Sequence, residues 1–87
     1  FYDQDIVMEP NDGEVLLDMR VTDSWIYLIA INQADRQVAR TFHLPRRLRP
    51  ERVEVMFENR VFAKPKRQFV DTFEPWDVHV YRFSRPR

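Results

Sequence analysis

WIYLIAIN, residues 25–32, carries apolar side chains on both alternations, with Trp25, Tyr27, Ile29 and Ile31 on one side and Ile26, Leu28 and Ala30 on the other. A helix is the rival reading of so continuous a run. Its β-branched and aromatic enrichment favours a strand, as does its short length between the polar turns Thr22-Asp23-Ser24 and Gln33-Ala34-Asp35-Arg36. A strand that is apolar on both faces lies inside a sheet, or is covered on its second side by something else.

The same period of two runs outward from this stretch. Val15, Leu17, Met19 and Val21 alternate with Leu16, Asp18 and Arg20, after the turn signal Asn11-Asp12-Gly13, which holds the only glycine. Val38, Phe42 and Leu44 resume the alternation. Arg40 interrupts it, which predicts an edge strand or a guanidinium leaning outward. Pro45 to Pro50 reads as a basic loop and Lys64-Pro65-Lys66-Arg67 as another, because proline cannot donate to a ladder. Val53–Phe57, Val61–Ala63, Phe69–Phe73 and Trp76–Phe83 complete the set. Ile6-Val7-Met8 has the composition of an added edge strand. About seven short strands with no convincing helix predict an all-β antiparallel sandwich.

Eighty-seven residues make one domain, divided here into a lead-in or linker from a missing upstream domain over 1–13, the sandwich over 14–83 and a tail over 84–87. Phe1 is not an initiator residue, so the chain reads as an excised piece of a longer one. No apolar run approaches the ~18 residues of a membrane span, and no membrane partner is expected. There are no cysteines, which excludes disulfides and thiolate metal sites and is neutral about compartment. Net charge is zero but unevenly spread: residues 1–35 hold eight acids and one base, residues 36–87 six acids and thirteen bases. Opposite charges on adjacent strands of one sheet are the expected outcome of that pattern.

Candidate chemistry is thin. Asp77 and His79 share one alternation of the last strand, a fragment of a triad, but Ser24 and Ser84 stand beside a turn and a terminus, with no elbow motif. His79 and His43 lack any metal-ligand spacing, and no cofactor is expected. The carboxylate pairs Glu54/Glu58 and Asp71/Glu74 are explained as solvated charges, so no catalytic residue is assigned. Arg46, Arg47 and Arg49, with Phe62 and Phe69, would be the makings of a nucleic-acid groove. Phenylalanines in strand register belong to a core, so no nucleic acid is expected. Trp25, Tyr27, Trp76 and Tyr81 are the candidate sugar platform of an alternative reading as a carbohydrate-binding module. An immunoglobulin-like interaction domain is a further alternative.

QFVDTFEPWDVHVYRF, residues 68–83, resembles the closing segment of the C-terminal β-sandwich domains appended to (β/α)8-barrel glycoside hydrolases and related carbohydrate-active proteins. In those domains a phenylalanine–aspartate run leads through a proline to an aromatic residue, and then to a Val-His-Val-Tyr strand. Phe69, Asp71, Phe73, Pro75, Trp76, Val78, His79, Val80 and Tyr81 match it. YLIAINQADRQVARTFHLP and VEVMFENRVF are similar to their upstream hairpin and next strand pair. The resemblance implies a non-catalytic domain that packs against and stabilises an upstream catalytic barrel, the barrel itself needing ~250 residues. Val78 and Val80, with Trp76 near them, are then expected inside the sandwich. His79 and Tyr81 are expected on the opposite face, as the interdomain surface.

Overall fold

A computed structural model describes residues 6–45, 48, 50–63, 65 and 67–85. The fold is all-β, and the described residues form eight strands: β1 Val7–Glu9, β2 Val15–Val21, β3 Trp25–Asn32, β4 Val38–His43, β5 Arg52–Val55, β6 Arg60–Ala63, β7 Gln68–Phe73 and β8 Val78–Ser84. They form two antiparallel sheets, a small one in the order β1-β4-β7 and a large one in the order β2-β3-β8-β5-β6. No helix among the described residues is long and apolar enough to cross a membrane.

The alternation that predicts each strand also selects what it buries. β3 lies between β2 and β8, as its doubly apolar sequence requires, and sends Ile26, Leu28 and Ala30 inward. Across the interface the small sheet offers Met8, Phe42, Phe69 and Phe73. Phe42 and Phe69 stack at 4.9 Å between ring centroids, and the Tyr81 ring stands 5.2 Å from each. Burying three such rings together adds ring–ring attraction to the apolar area this small core removes from water.

Four expectations are corrected. β1 pairs with β4 and buries Met8, so part of the stretch read as a lead-in belongs to the sandwich. β4 is the middle strand of its sheet, and Arg40 points inward rather than out. Its guanidinium donates to Asp12 at 2.9 Å, to Glu14 at 3.4 Å and to the Ala39 carbonyl at 2.8 Å, which offsets the desolvation of the charge. Acid and base meet here between β4 and the loop before β2, while Glu54 on β5 and Arg82 on β8 pair across adjacent strands of one sheet as expected. Leu48, inside the loop read as exposed, is buried in the core.

The fourth correction concerns β8. His79, Tyr81 and Phe83 face inward, while Val78 and Trp76 are exposed and Val80 is only half-buried. The sequence reading inverted this strand. Both of its faces are apolar enough to be core, and period-two alternation cannot rank them.

Candidate functional site

The inward face of β8 meets a carboxylate. Asp71, directly opposite Arg40 on β7, points into the sandwich and receives the Tyr81 hydroxyl at 2.7 Å. Arg60, at the start of β6, grips the same carboxylate through two bonds of 2.9 and 3.1 Å, and its Nε donates to Glu58 at 2.9 Å. His79 Nδ1 lies 2.9 Å from Asp71 Oδ2, and Nε2 lies 3.1 Å from Asp77 Oδ2. The Phe73 ring stacks on the imidazole at 4.3 Å. Asp71 thus ties the small sheet to two strands of the large one, and each imidazole nitrogen has a carboxylate beside it.

Burial pushes the Asp71 carboxyl up. The Arg60 guanidinium, the Tyr81 hydroxyl, the Thr72 amide and the charge of His79 outweigh burial and hold it below its ordinary value. Burial, followed by the bond to Asp71, pushes the Tyr81 phenol well above its ordinary range. The bond to Asp71 likewise raises Arg60.

The sign of the resulting pH dependence follows. Between the depressed folded value and the ordinary ~3.9, the unfolded chain binds more protons. Stability is therefore fully present above the unfolded value and is lost as pH falls through the folded one. The urea midpoint of the wild-type chain should fall toward that of Asp71→Asn as pH drops below about 4. A gap between the two that stays constant from about pH 2 to 6 would show that Asp71 is not held ionised by its partners.

As a chemical constellation the cluster is closed. Asp71, His79 and Tyr81 are all buried, and Ser84 and Ser24 lie at the far end of β8 and β3. His43 sits on the outer face of the small sheet beside Glu9, well away from His79. Among the described residues no group of three or more His, Asp or Glu side chains could hold a metal. Glu54, one of the candidate carboxylates, is paired with Arg82 at 2.8 Å on the outer face of the large sheet. Arg46, Arg47 and Arg49 lie outside the described residues.

The four candidate platform residues are not brought together. Tyr81 is in the core. Trp25 and Tyr27 lie toward the start of β3, where Arg82 covers the Trp25 ring at 4.1 Å. Trp76 stands at the other end of the sheet, before β8, and is 65% exposed.

A contiguous exposed apolar surface lies on the outer face of the large sheet. Strand register sets Leu16 beside Ile31 and Ile31 beside Val78, a continuous row across β2, β3 and β8. These three are 49%, 37% and 51% exposed. In the next row Ile29 stands between Asp18 and Val80. The outer face of the small sheet is different: Glu9, Thr41, His43, Gln68 and Thr72 outnumber Val7, Ala39 and Val70 there. The doubly apolar WIYLIAIN stretch signalled such a face. Sequence reasoning then placed the partner-facing side of β8 on His79 and Tyr81, and so missed Leu16 and Val78.

Compared with known proteins, the chain matches no family model, no curated protein and no solved structure.

Proposed function

We propose that this chain is a non-catalytic β-sandwich domain of a longer polypeptide, and that the outer face of its five-stranded sheet packs against the neighbouring domain. The observation that carries this reading is the Leu16–Ile31–Val78 row, with Ile29 and Val80 behind it. Central strands of a sheet with a solvated outer face normally alternate apolar with polar residues. β3 instead places four apolar or aromatic residues on that face. A contiguous exposed apolar patch of this kind is the usual mark of a covered surface. The resemblance of residues 68–83 to closing segments of glycoside-hydrolase sandwiches supports a (β/α)8 barrel as the neighbour, and an upstream sequence without a (β/α)8 pattern would remove that half of the reading. On this reading His79 and Tyr81 are internal ties of the domain, and Ile31 and Val78 are the interdomain contact.

The test is the double variant Ile31→Lys/Val78→Lys. In the 87-residue chain it should change stability by no more than about 1 kcal/mol, since both positions face solvent. In the full polypeptide it should uncouple the two domains, so that one cooperative thermal transition becomes two and the junction becomes sensitive to protease. Unchanged unfolding of the full polypeptide would sink the proposal. Unfolding of the isolated chain would show that the face is needed by the sandwich itself.

A further inference from the structure

Loops 10–14, 33–37, 56–59 and 74–77 gather at one end of the sandwich, and a cleft of about 510 Å³ opens there. Asp12, Gly13, Glu14, Gln33, Ala34, Asp35 and Trp76 line it. Its walls are set from beneath by Asn32, which is fully buried at the end of β3. The Asn32 amide donates to the carbonyls of Arg36 at 3.0 Å and Glu74 at 2.9 Å, while its Oδ1 accepts the Ala34 N–H at 2.9 Å. One side chain therefore fixes the loop after β3 and the loop before β8 relative to each other. Trp76 sits in the left-handed region, at φ 65°, with its N–H on the Ala34 carbonyl at 3.3 Å. Glycine or asparagine would hold this conformation at less cost, and packing does not require the ring, which is largely in solvent. A strained backbone holding an apolar ring out to water points to a use for the ring.

The charge of the cleft narrows what that use is. Asp12 and Glu14 are engaged by Arg40, and both Glu14 oxygens are also engaged by Arg36. Three carboxylates, counting Asp35, against two guanidiniums leave one net negative charge. A cation site would leave its carboxylates unpaired, and here two of three are not. What the cleft presents is an aromatic face, the Gln33 amide, whose Nε2 already donates to the Gly13 carbonyl at 3.4 Å and whose oxygen can accept, and carboxylate oxygens that still have lone pairs to accept from hydroxyls. An apolar face beside several fixed acceptors suits a neutral sugar ring, whose C–H face stacks on indole while its hydroxyls donate at the edge. We infer that the Trp76 cleft is a carbohydrate-binding subsite for a neutral saccharide. It stands on the cleft alone and needs no docked neighbour.

The experiment titrates the 87-residue chain separately with hexasaccharides of β-linked glucose, xylose and mannose, followed by tryptophan fluorescence and amide chemical shifts. At least one should bind in the millimolar range or tighter, with shifts at Gln33–Asp35 and Trp76. Trp76→Ala should weaken that binding about tenfold or more while leaving the thermal midpoint close to wild type. Trp25→Ala, on the Arg82-covered ring, should leave it unchanged. Three results would each overturn the inference. One is no shift with any of the three sugars at ~10 mM. Another is binding that survives Trp76→Ala. The third is a response to N-acetyl-lysine amide but not to the sugars. Because this readout uses the isolated chain, its failure is distinct from failure of the docking proposal, which is read in the full polypeptide.

Discussion

Tyr81→Ala is expected to destabilise the isolated chain by about 3–5 kcal/mol, the range for removing a large buried ring. Tyr81 is fully buried, packs against Phe42, Phe69 and Phe62, and donates to Asp71. Stabilities of roughly 0.05–0.15 kcal/mol per residue put the whole of an 87-residue domain at about 4–13 kcal/mol, so the variant sits at or near the edge of folding. Val80→Asp one residue earlier should cost only about 1–2 kcal/mol, because Val80 is half-buried on the outer face and loses mainly strand preference. Tyr81→Phe separates ring from hydroxyl: it keeps the packing and removes one bond to a charged acceptor, for about 1.5–3 kcal/mol. Urea unfolding of the three variants checks the order. If Val80→Asp were the more damaging change, the face assigned to the core would be wrong.

The second large effect belongs to Asp71→Ala. This change removes the acceptor of the Arg60 pair, the Tyr81 hydroxyl and the Thr72 amide, and one of the three carboxylates beside His79. Breaking a buried ion pair from one side costs about 3–5 kcal/mol, and the half-buried Arg60, which keeps part of its hydration, brings the expectation to about 2–4. A double-mutant cycle with Arg60→Ala should return a coupling of about 1–3 kcal/mol. Additivity within about 0.5 kcal/mol would mean that the pair is not made in solution.

These two positions also mark the limit of what could be read from sequence. The strands from residue 15 onward follow from alternation, and β1 from the apolar triplet Ile6-Val7-Met8. That β3 lies inside its sheet follows from WIYLIAIN alone. Most turns likewise follow from their polar residues, but alternation carries the strand after residue 52 on to Phe57 and starts the last one at Trp76, whereas the structure places Phe57, at φ 69° and 92% exposed, in the turn over 56–59 and begins β8 at Val78. The orientation of β8 does not follow, because a one-residue inversion exchanges the Val78–Val80 face for the His79–Tyr81–Phe83 face while satisfying the same period. Composition favours the wrong choice: valines read as core, and a histidine beside a tyrosine reads as surface. Leu48 escaped for a related reason, since proline and arginine on either side made its segment look solvated.

Local pattern thus determined which segments are strands, most of their turns, and that β3 is apolar on both faces. Tertiary structure alone decided which polar residues go inside, because burial of a polar group is settled by its partner and not by its own identity. Arg40 is internal because Asp12 and Glu14, 28 and 26 residues away, close over it. Tyr81 and His79 are internal because Asp71, on a strand of the other sheet, supplies an acceptor beside them. Asn32 is internal because two loops, one from 42 residues away, bring their carbonyls to its amide. In each case at least one partner lies on another element of the fold and is adjacent only once the strands have assembled.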